Sequence, residues 1–470
     1  MKRPILAIIS LTVCSCSVGP DYQKPAVPTP GHWKEGQAHA GARLPDEWWK
    51  LFHDSTLNRL VAESIAGNQD LKAAYARVKT AQAIVGVRRA DWFPQISGGG
   101  SFTDTRQSKS VETAGIPSNF GFSFPLRDTY YQTQFNLSYE ADIWGKVRRN
   151  VESAKADMAA ADANLDAQRL SLASEVAKDY FLLRSLDSQR AVVEDTIKSR
   201  QEAFDLQDSK FKAGLSNEVD TTRAKTELEQ AKADLSNVVR QRASTEHAIA
   251  VLCGKPPADL SISGDASRRT PPNIPAGMPS DLLLRRPDVR AAEFQLISAN
   301  AQIGVATAAF YPSFTLTGLA GFESIDTRTL YDWQNRILSI VPSVSVPVFT
   351  GGKNKSNLEA AKSKFDESLA TYKQAWLTAL REVEDAMSDL KGYAVQRQAL
   401  EAAVKSAEDT ERLARTRQEK GLTSYFDVVD AERTVLAAKL TLEQIDGQRM
   451  VSAVQLMKAL AGGWGPQGKN

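Results

Sequence analysis

The chain has 470 residues, of which 42% are hydrophobic and 24% are charged, and its 58 basic residues nearly balance its 56 acidic residues. Because no basic excess is available to neutralise phosphates, the composition disfavours binding to nucleic acid. Adequate apolar content and a small net charge also disfavour a disordered chain. The longest apolar run, Ile5 to Val13, is shorter than the roughly 18 residues that a membrane-spanning helix needs.

Sequence motifs of enzymes are missing. The 4 histidines are scattered without the spacing of metal ligands. No phosphate-binding loop, zinc-protease helix, nucleophile elbow or dinucleotide fingerprint occurs. The sequence therefore predicts a protein that is not an enzyme and that uses no metal or other cofactor.

The N-terminus has the pattern of an exported lipoprotein. A basic start and a short apolar stretch describe a secretory signal peptide, and cysteines follow directly at positions 14 and 16. Cys16 comes after the small residue Ser15, whereas Cys14 comes after the β-branched residue Val13. We therefore expect residues 1–15 to be a lipoprotein signal and Cys16 to be acylated. Acylation of Cys14 and a plain cleaved signal are the alternatives.

Two halves of the chain match each other. Asn68 to Ala74 corresponds to Arg286 to Ala292, and Trp92-Phe93-Pro94 corresponds to Phe310-Tyr311-Pro312. Such self-similarity predicts two tandem copies of one structural unit. The predicted organisation is a signal peptide at 1–15, an N-terminal anchor and collar segment at 16–55, repeat 1 at 56–253, a proline-rich collar linker at 254–280, repeat 2 at 281–461 and a C-terminal tail at 462–470.

Each repeat begins, in chain order, with an opening helix that leads into a strand. The opening helices are expected at about 56–92 and 281–310. Pro94 and Pro312 mark the helix–strand transitions, because proline cannot continue the helical hydrogen bonding.

Two strands per repeat are predicted from alternating side chains. Residues 131–143 alternate strictly between apolar and polar, which is the period of a strand with one apolar face. Similar alternation occurs at 96–102, 314–322 and 340–348. The pattern suits strands of a transmembrane barrel, and the edge of a soluble sandwich is the alternative. Four strands cannot close a barrel and open edges are not tolerated in lipid, so several chains must share one barrel.

Long helices follow the strands. The runs at about 146–213 and 353–420 contain no proline, and each would extend for roughly 100 Å at 1.5 Å per residue. Apolar residues of the second run recur at intervals of three and four, as in a coiled coil. Shorter return helices are expected at about 217–253 and 424–461. A long helix can therefore lie beside two shorter helices that are stacked end to end.

One helix face of repeat 2 carries a distinctive set of side chains. Phe426, Asp430 and Arg433 are spaced 4 and 3 residues apart and share one face. Their repeat counterparts Val219, Arg223 and Thr226 lack the acid–arginine pair, which favours a role beyond folding. Copies of Asp430 around an oligomer axis would form an acidic ring that selects cations. Simple pairing of Asp430 with Arg433 on a solvated face is the alternative.

Five segments resemble a known family. They are Cys16 to Tyr22 with Trp48-Trp49, the block Asp281 to Glu293, and Ala308 to Pro312 with Lys458 to Trp464. They are similar to the outer-membrane lipoproteins of multidrug efflux systems, the NodT/OprM branch of the TolC superfamily. The resemblance covers nearly the whole mature chain.

The resemblance implies an α+β membrane protein that forms a homotrimer. Each chain would contribute four strands to a shared 12-stranded β-barrel, which continues into a long periplasmic α-helical barrel with an equatorial collar. Trp48-Trp49 would lie in the collar core, or alternatively anchor an interface.

The implied function is the passive exit duct of a proton-driven, tripartite multidrug efflux system in the bacterial outer membrane. Its partners would be outer-membrane lipid, a periplasmic adaptor protein and an inner-membrane transporter. A channel for type I protein secretion, a metal-efflux channel and a non-channel coiled-coil envelope protein are the alternatives.

The resemblance also implies roles for two sets of residues. Phe426, Asp430 and Arg433 would form a periplasmic gate. The turns between long and return helices would be the tips that contact the adaptor; their residues are Gly214, Leu215, Ser216, Gly421, Leu422 and Thr423.

Overall fold

The computed structural model describes residues 17–35, 44–106, 108, 127–274 and 285–460. The predicted acylation site Cys16 and the predicted tail 462–470 lie outside these residues. The described part is mostly helical, with strands β1 to β4. The helices are Ser55–Gly67, Gln69–Ala90, Lys146–Lys212, Glu218–Leu252, Pro287–Ala308, Lys353–Glu419 and Tyr425–Ala459, and the strands are Gln95–Arg106, Arg127–Ala141, Ser313–Ser324 and Arg336–Ser345.

The helices recur in the same order and length in both halves of the chain. The two long helices, Lys146–Lys212 and Lys353–Glu419, each have 67 residues, and the return helices, Glu218–Leu252 and Tyr425–Ala459, each have 35. The prediction of two long, uninterrupted helices is therefore confirmed, and Gly392 does not break the second one. Among the described residues, none of the helices combines the length and the apolar content that a bilayer span requires.

The strands form one antiparallel sheet in the order β1-β2-β3-β4. Both predicted transitions are confirmed, because Pro94 and Pro312 each immediately precede a strand. Two strand ends were predicted too long. β2 ends at Ala141 rather than at Ile143, and β4 ends at Ser345 rather than at Val348. Pro347 lacks the amide proton that a further ladder bond would need.

The first opening helix is not continuous, contrary to the prediction of one helix over 56–92. It breaks at Asn68, whose backbone is extended and whose side chain accepts a hydrogen bond from the Leu71 amide at 2.9 Å. The break fits against the end of the first return helix. A Cβ at Gly67 would lie 2.3 Å from the Cys253 carbonyl oxygen. Tertiary contact between two backbones therefore fixes the break, and Asn68 caps the helix that follows.

Contacts divide the chain into two compact units, each of which combines segments from both repeats. One unit contains the sheet, and the other contains the larger apolar core. Trp48 and Trp49 belong to this core with 0% and 4% of their surface exposed, so the prediction that they are core residues is confirmed. Trp376 joins the same core, and its indole nitrogen donates to the Pro28 carbonyl at 2.7 Å.

The predicted collar linker is irregular over its described residues up to 274, apart from the short 3-10 helix Pro257–Asp259. Its backbone is bonded by side chains of the neighbouring helices rather than by another strand. Glu246 accepts from the Ile262 amide at 2.5 Å, Arg242 donates to the Ile262 carbonyl at 2.6 Å, and Arg184 donates to the Ser263 carbonyl at 2.7 Å. These bonds satisfy backbone groups that regular structure would otherwise pair.

Arg286, from the block that carries the family resemblance, joins three parts of the fold. Its buried guanidinium pairs with Asp288 at 2.6 Å and with Glu382 of the second long helix at 2.7 Å. It also donates to the Ala459 carbonyl at 3.3 Å, at the end of the second return helix. The side chain therefore fixes the start of the second opening helix against two others.

Arg286→Leu is expected to lower the free energy of unfolding by about 1–3 kcal/mol, because the partly exposed carboxylates of Asp288 and Glu382 lose their cationic partner and the Ala459 carbonyl loses a donor. Denaturant unfolding followed by circular dichroism would measure the loss. Arg381→Leu is the matched control, since that arginine is 69% exposed and lies 3.8 Å from its partner Asp385. Equal unfolding of the two variants would contradict the role assigned to Arg286.

Asp179, on the first long helix, carries a carboxyl group that ionises with difficulty. Burial, helped by the neighbouring Glu175 and opposed by the charge of Lys178, raises its pKa from 3.8 to about 6. The folded chain therefore holds this proton more tightly than the unfolded chain does. The resulting stabilisation is complete below about pH 4 and is lost as the pH rises through about 6.

Asp179→Asn is therefore expected to be more stable than the wild type at neutral pH, by about 2 kcal/mol, and equally stable near pH 4. Denaturant unfolding at the two pH values would measure this. Asp195→Asn, at a position 77% exposed on the same helix, is the control. A stability difference that does not change with pH would contradict the assignment.

Candidate channel surface, helix tips and gate

The sheet has one apolar and one polar face, as the alternation predicted. Directly paired residues point to the same side, so Ile96 with Leu137 and Phe102 with Tyr131 place their side chains on one face. Much of this face is open in the single chain; Phe102 is 57% exposed and Phe135 is 62% exposed. An apolar surface of this kind marks a contact with lipid or with another protein.

The outer strands of the sheet leave two backbone edges without partners in this chain. β1 pairs only with β2, and β4 pairs only with β3, among the described residues. Pro342 lies within β4, which is tolerated because β4 is an edge strand. Unpaired amides and carbonyls beside an apolar face cannot remain in a lipid environment, so a membrane location requires that other strands cover these edges.

Glycines close both long helices at the tips. Gly214 and Gly421 adopt left-handed backbone with φ of 74° and 70°. The amide of the next residue donates back into the helix, at 2.8 Å for Leu215 and 2.9 Å for Leu422. This arrangement is the helix ending that glycine favours. Both leucines project outwards, with 80% of Leu215 and 65% of Leu422 exposed.

The return helices begin immediately after the tips with capping side chains. Asn217 accepts a hydrogen bond from the Asp220 amide at 2.9 Å. Ser424 and Asp427 form a reciprocal capping box, and Thr423 also donates to the Asp427 carboxylate. These caps fix where each return helix begins. The adaptor-contact role of the tips, including half-buried Ser216, remains a prediction.

The segment that follows Cys16 is tightly held. Asp21 accepts from Arg149 of the first long helix at 2.7 Å. A Cβ at Gly19 would lie only 2.5 Å from the Cα atom of Gly304, so the two backbones are in direct contact. Both contacts lie in the unit that contains the sheet.

The structure places the predicted gate residues on the exposed side of the second return helix. Phe426 is 49% exposed, and the Arg223 guanidinium lies 5.1 Å from the centre of its ring. Asp430 is also exposed. Arg433 forms no ion pair with Asp430; it donates to the buried carboxylate of Glu227, with Nε at 2.9 Å. The alternative of a simple Asp430–Arg433 pair is therefore wrong.

Glu227, which the sequence analysis missed, connects three helices. The first return helix carries it, and its side chain is 6% exposed. Arg200 of the first long helix pairs with it at 3.2 Å and also donates to its backbone carbonyl at 2.7 Å. Arg433 reaches it from the second return helix, and this hydrogen bond raises the pKa of Arg433. Arg223, the repeat counterpart of Asp430, lies over the Phe426 ring, so the two return helices also meet at this point.

A second acid beside this cluster is largely buried. Glu432 accepts from Arg415 at 2.7 Å and is 9% exposed. Burial raises its pKa, and Glu411 and Glu227 add to the effect against the charge of Arg415. Burial also raises the pKa of Tyr425 to about 12. Asp430 is exposed, as is the capping Asp427, so these two rather than Glu432 are the acids of this segment that are accessible from solution.

Comparisons with known proteins agree with this combination of helices and sheet. The profile of the family "Outer membrane efflux protein" matches residues 60–255 and 278–462. The toluene efflux pump outer membrane protein TtgI of Pseudomonas putida is 34% identical over 98% of both chains. The cation efflux system protein CusC of Escherichia coli is 30% identical over 97% of both chains. The solved outer-membrane channel OprN superposes with a TM-score of 0.86 at 30% identity, covering 96% of this chain and 100% of that one.

The fold and these similarities define an outer-membrane channel protein of an efflux system. The chain belongs to the outer membrane efflux protein family, as its sequence motifs suggested. It is therefore located in the outer membrane and reaches into the periplasm. These related proteins are channel components of efflux systems rather than enzymes.

Proposed function

We propose that three copies of this chain form the exit duct of a proton-driven, tripartite multidrug efflux system. Each copy contributes its four strands to a barrel of twelve. The observation that supports this most is a sheet with one exposed apolar face and two unpaired edges. A barrel of twelve strands encloses an open lumen, whereas the interior of an eight-stranded barrel is filled by side chains. The polar face then lines the water-filled interior.

The duct receives its substrates from a periplasmic adaptor and an inner-membrane transporter. Leu215 and Leu422 are large apolar side chains at exposed tips, which suits them to contact the adaptor. The relatives are named for toluene in one case and for cations in another. Such different cargoes support a passive duct whose substrates are chosen by the transporter.

Cys16 is proposed as the lipid-anchored residue of the mature chain. The contacts of Gly19 and Asp21 would hold the anchor close to the start of the first long helix. Mass spectrometry of the N-terminal peptide should find a mature chain that begins with acylated Cys16. An unmodified Cys16, or a chain that begins elsewhere, would contradict the proposal.

Native mass spectrometry and planar-bilayer recording test the duct as a whole. The purified protein should have the mass of a trimer, and the same preparation should insert and conduct ions in discrete steps. Conduction is expected to be low at rest because the gate is closed. A stable monomer that never conducts would overturn the proposed function.

A further inference from the structure

Charged side chains of the sheet are segregated between its two faces. The strand register places every strand arginine on the apolar face, and every strand acid except Asp104 on the polar face. The arginines are Arg106, Arg127 and Arg336, and the acids of the polar face are Asp128, Glu140 and Glu323.

Arg106 and Arg127 lie beyond one end of the apolar face, and Arg336 lies just inside the same end. Along β2, the apolar positions from Tyr131 to Ala141 cover about 33 Å at ~3.3 Å per residue. With the strand tilt of membrane barrels, this is about 25 Å along the membrane normal, the usual height of the lipid-facing band. Arg127 lies beyond Tyr131, at the end remote from the long helix that begins at Lys146. If the helices are periplasmic, this end faces the outer leaflet.

The charge at this end is only partly neutralised within the described chain. Arg127 donates two hydrogen bonds to Asp104, at 2.7 and 2.5 Å. Arg106 lies directly opposite Arg127 in the strand register. Two like charges in this position repel each other, and a bound anion would reduce the repulsion. No carboxylate among the described residues forms an ion pair with Arg106.

Arg336 lies at the start of β4, opposite Phe322 and therefore level with Thr133 of β2, about 20 Å along the strands from Arg127. It donates to the Trp333 carbonyl at 2.6 Å, and its guanidinium lies 4.3 Å from the centre of the Trp333 ring. Trp333 itself is 75% exposed. No described carboxylate pairs with Arg336 either. An aromatic ring that carries a cation at the boundary of an apolar face is typical of a membrane–water interface.

We propose that Arg106, Arg127 and Arg336 bind phosphate groups of an anionic lipid in the outer leaflet. Guanidinium groups hold phosphate oxygens through paired, charge-assisted hydrogen bonds, and the adjoining apolar face accommodates the acyl chains. This inference depends on the proposed barrel only in that the apolar face must meet lipid. It adds a recognition site that channel activity does not require.

A lipid titration of the full-length protein in non-ionic detergent tests the site. Diphosphorylated lipid A is compared with the same lipid freed of both phosphates, and inorganic phosphate is added as a competitor. The wild type should bind the phosphorylated lipid much more tightly, and salt should weaken the binding. Competition by millimolar inorganic phosphate would show that the site recognises free phosphate rather than a lipid, and would overturn the proposal.

Paired variants localise the effect. Arg106→Gln with Arg336→Gln leaves the Arg127–Asp104 pair intact and should weaken binding by about tenfold or more. The two Arg→Lys changes keep the charge but lose the paired hydrogen bonds, so they should weaken binding less than the Gln changes. Lys353→Gln with Lys355→Gln removes the same charge at the start of the second long helix and should have no effect.

Two results would overturn the proposal: equal binding of both lipids by the wild type, or equal binding of phosphorylated lipid by the wild type and the Arg→Gln variant. The comparison of the two lipids uses only the wild type, so its result does not depend on whether the variants fold. Bilayer recording of the same samples separates the two ideas. If the wild type conducts but shows no phosphate-dependent lipid binding, only the proposed lipid site is refuted. If the wild type never conducts, the proposed duct is refuted.

Discussion

Gly421→Phe is expected to abolish coupling to the adaptor while leaving the trimer assembled. The position has φ of 70°, which costs a residue with a side chain about 1–2 kcal/mol. This local cost is small for a protein with long packed helices. A Cβ at Gly421 would meet no atom within 4 Å, so the phenylalanine would project from the tip. There it would obstruct a partner that approaches Leu422.

Site-specific crosslinking between the tip and the adaptor would measure this loss, together with drug susceptibility of cells that carry the variant. Two control variants separate bulk from backbone strain. Gly421→Asn keeps a residue that tolerates left-handed backbone and should remain nearly active. Gly392→Phe adds the same bulk inside the second long helix, where no atom lies within 4 Å either, and should crosslink normally. Unchanged crosslinking in Gly421→Phe would refute tip docking.

Local sequence signals predicted most of the helices and strands. Side chains that alternate along a strand, proline at a helix end and glycine at a turn each act over a few residues, and the structure follows them at Pro94, Pro312, Gly214 and Gly421. The long helices were predictable for the same reason, since nothing in either run interrupts the hydrogen-bond ladder.

Features that depend on distant parts of the chain were not predictable in this way. The helix break at Asn68 exists because Gly67 packs against Cys253, far away in sequence. The partner of Arg433 is Glu227 rather than the nearby Asp430, because burial of Glu227 between helices leaves its carboxylate in need of cations. Spacing along one helix placed Phe426, Asp430 and Arg433 on one face but could not identify which residues lie opposite them.

The ion pair between Arg433 and Glu227 suggests how the proposed gate is held closed. Glu227 accepts from Arg200 and Arg433, so the second return helix is tied to the first return helix and to the first long helix. Removal of Glu227 would leave Arg200 buried without its partner and would destabilise the fold. Removal of Arg433, which is 58% exposed, leaves the Arg200–Glu227 pair intact. Loss of Arg433 is therefore expected to weaken this tie between the helices without unfolding the protein.

Arg433→Ala is expected to raise single-channel conductance in planar bilayers several-fold, because the second return helix can then move away from the closed position. Asp430→Ala should instead weaken the preference for cations, since it removes an exposed acid from each of three copies. The double variant should show both effects. Arg412→Ala, an arginine 69% exposed that pairs only with Asp409 of its own helix turn, is the control and should behave like the wild type. Wild-type conductance and selectivity in the double variant would exclude Arg433 and Asp430 from the gate and leave the duct without an assigned constriction.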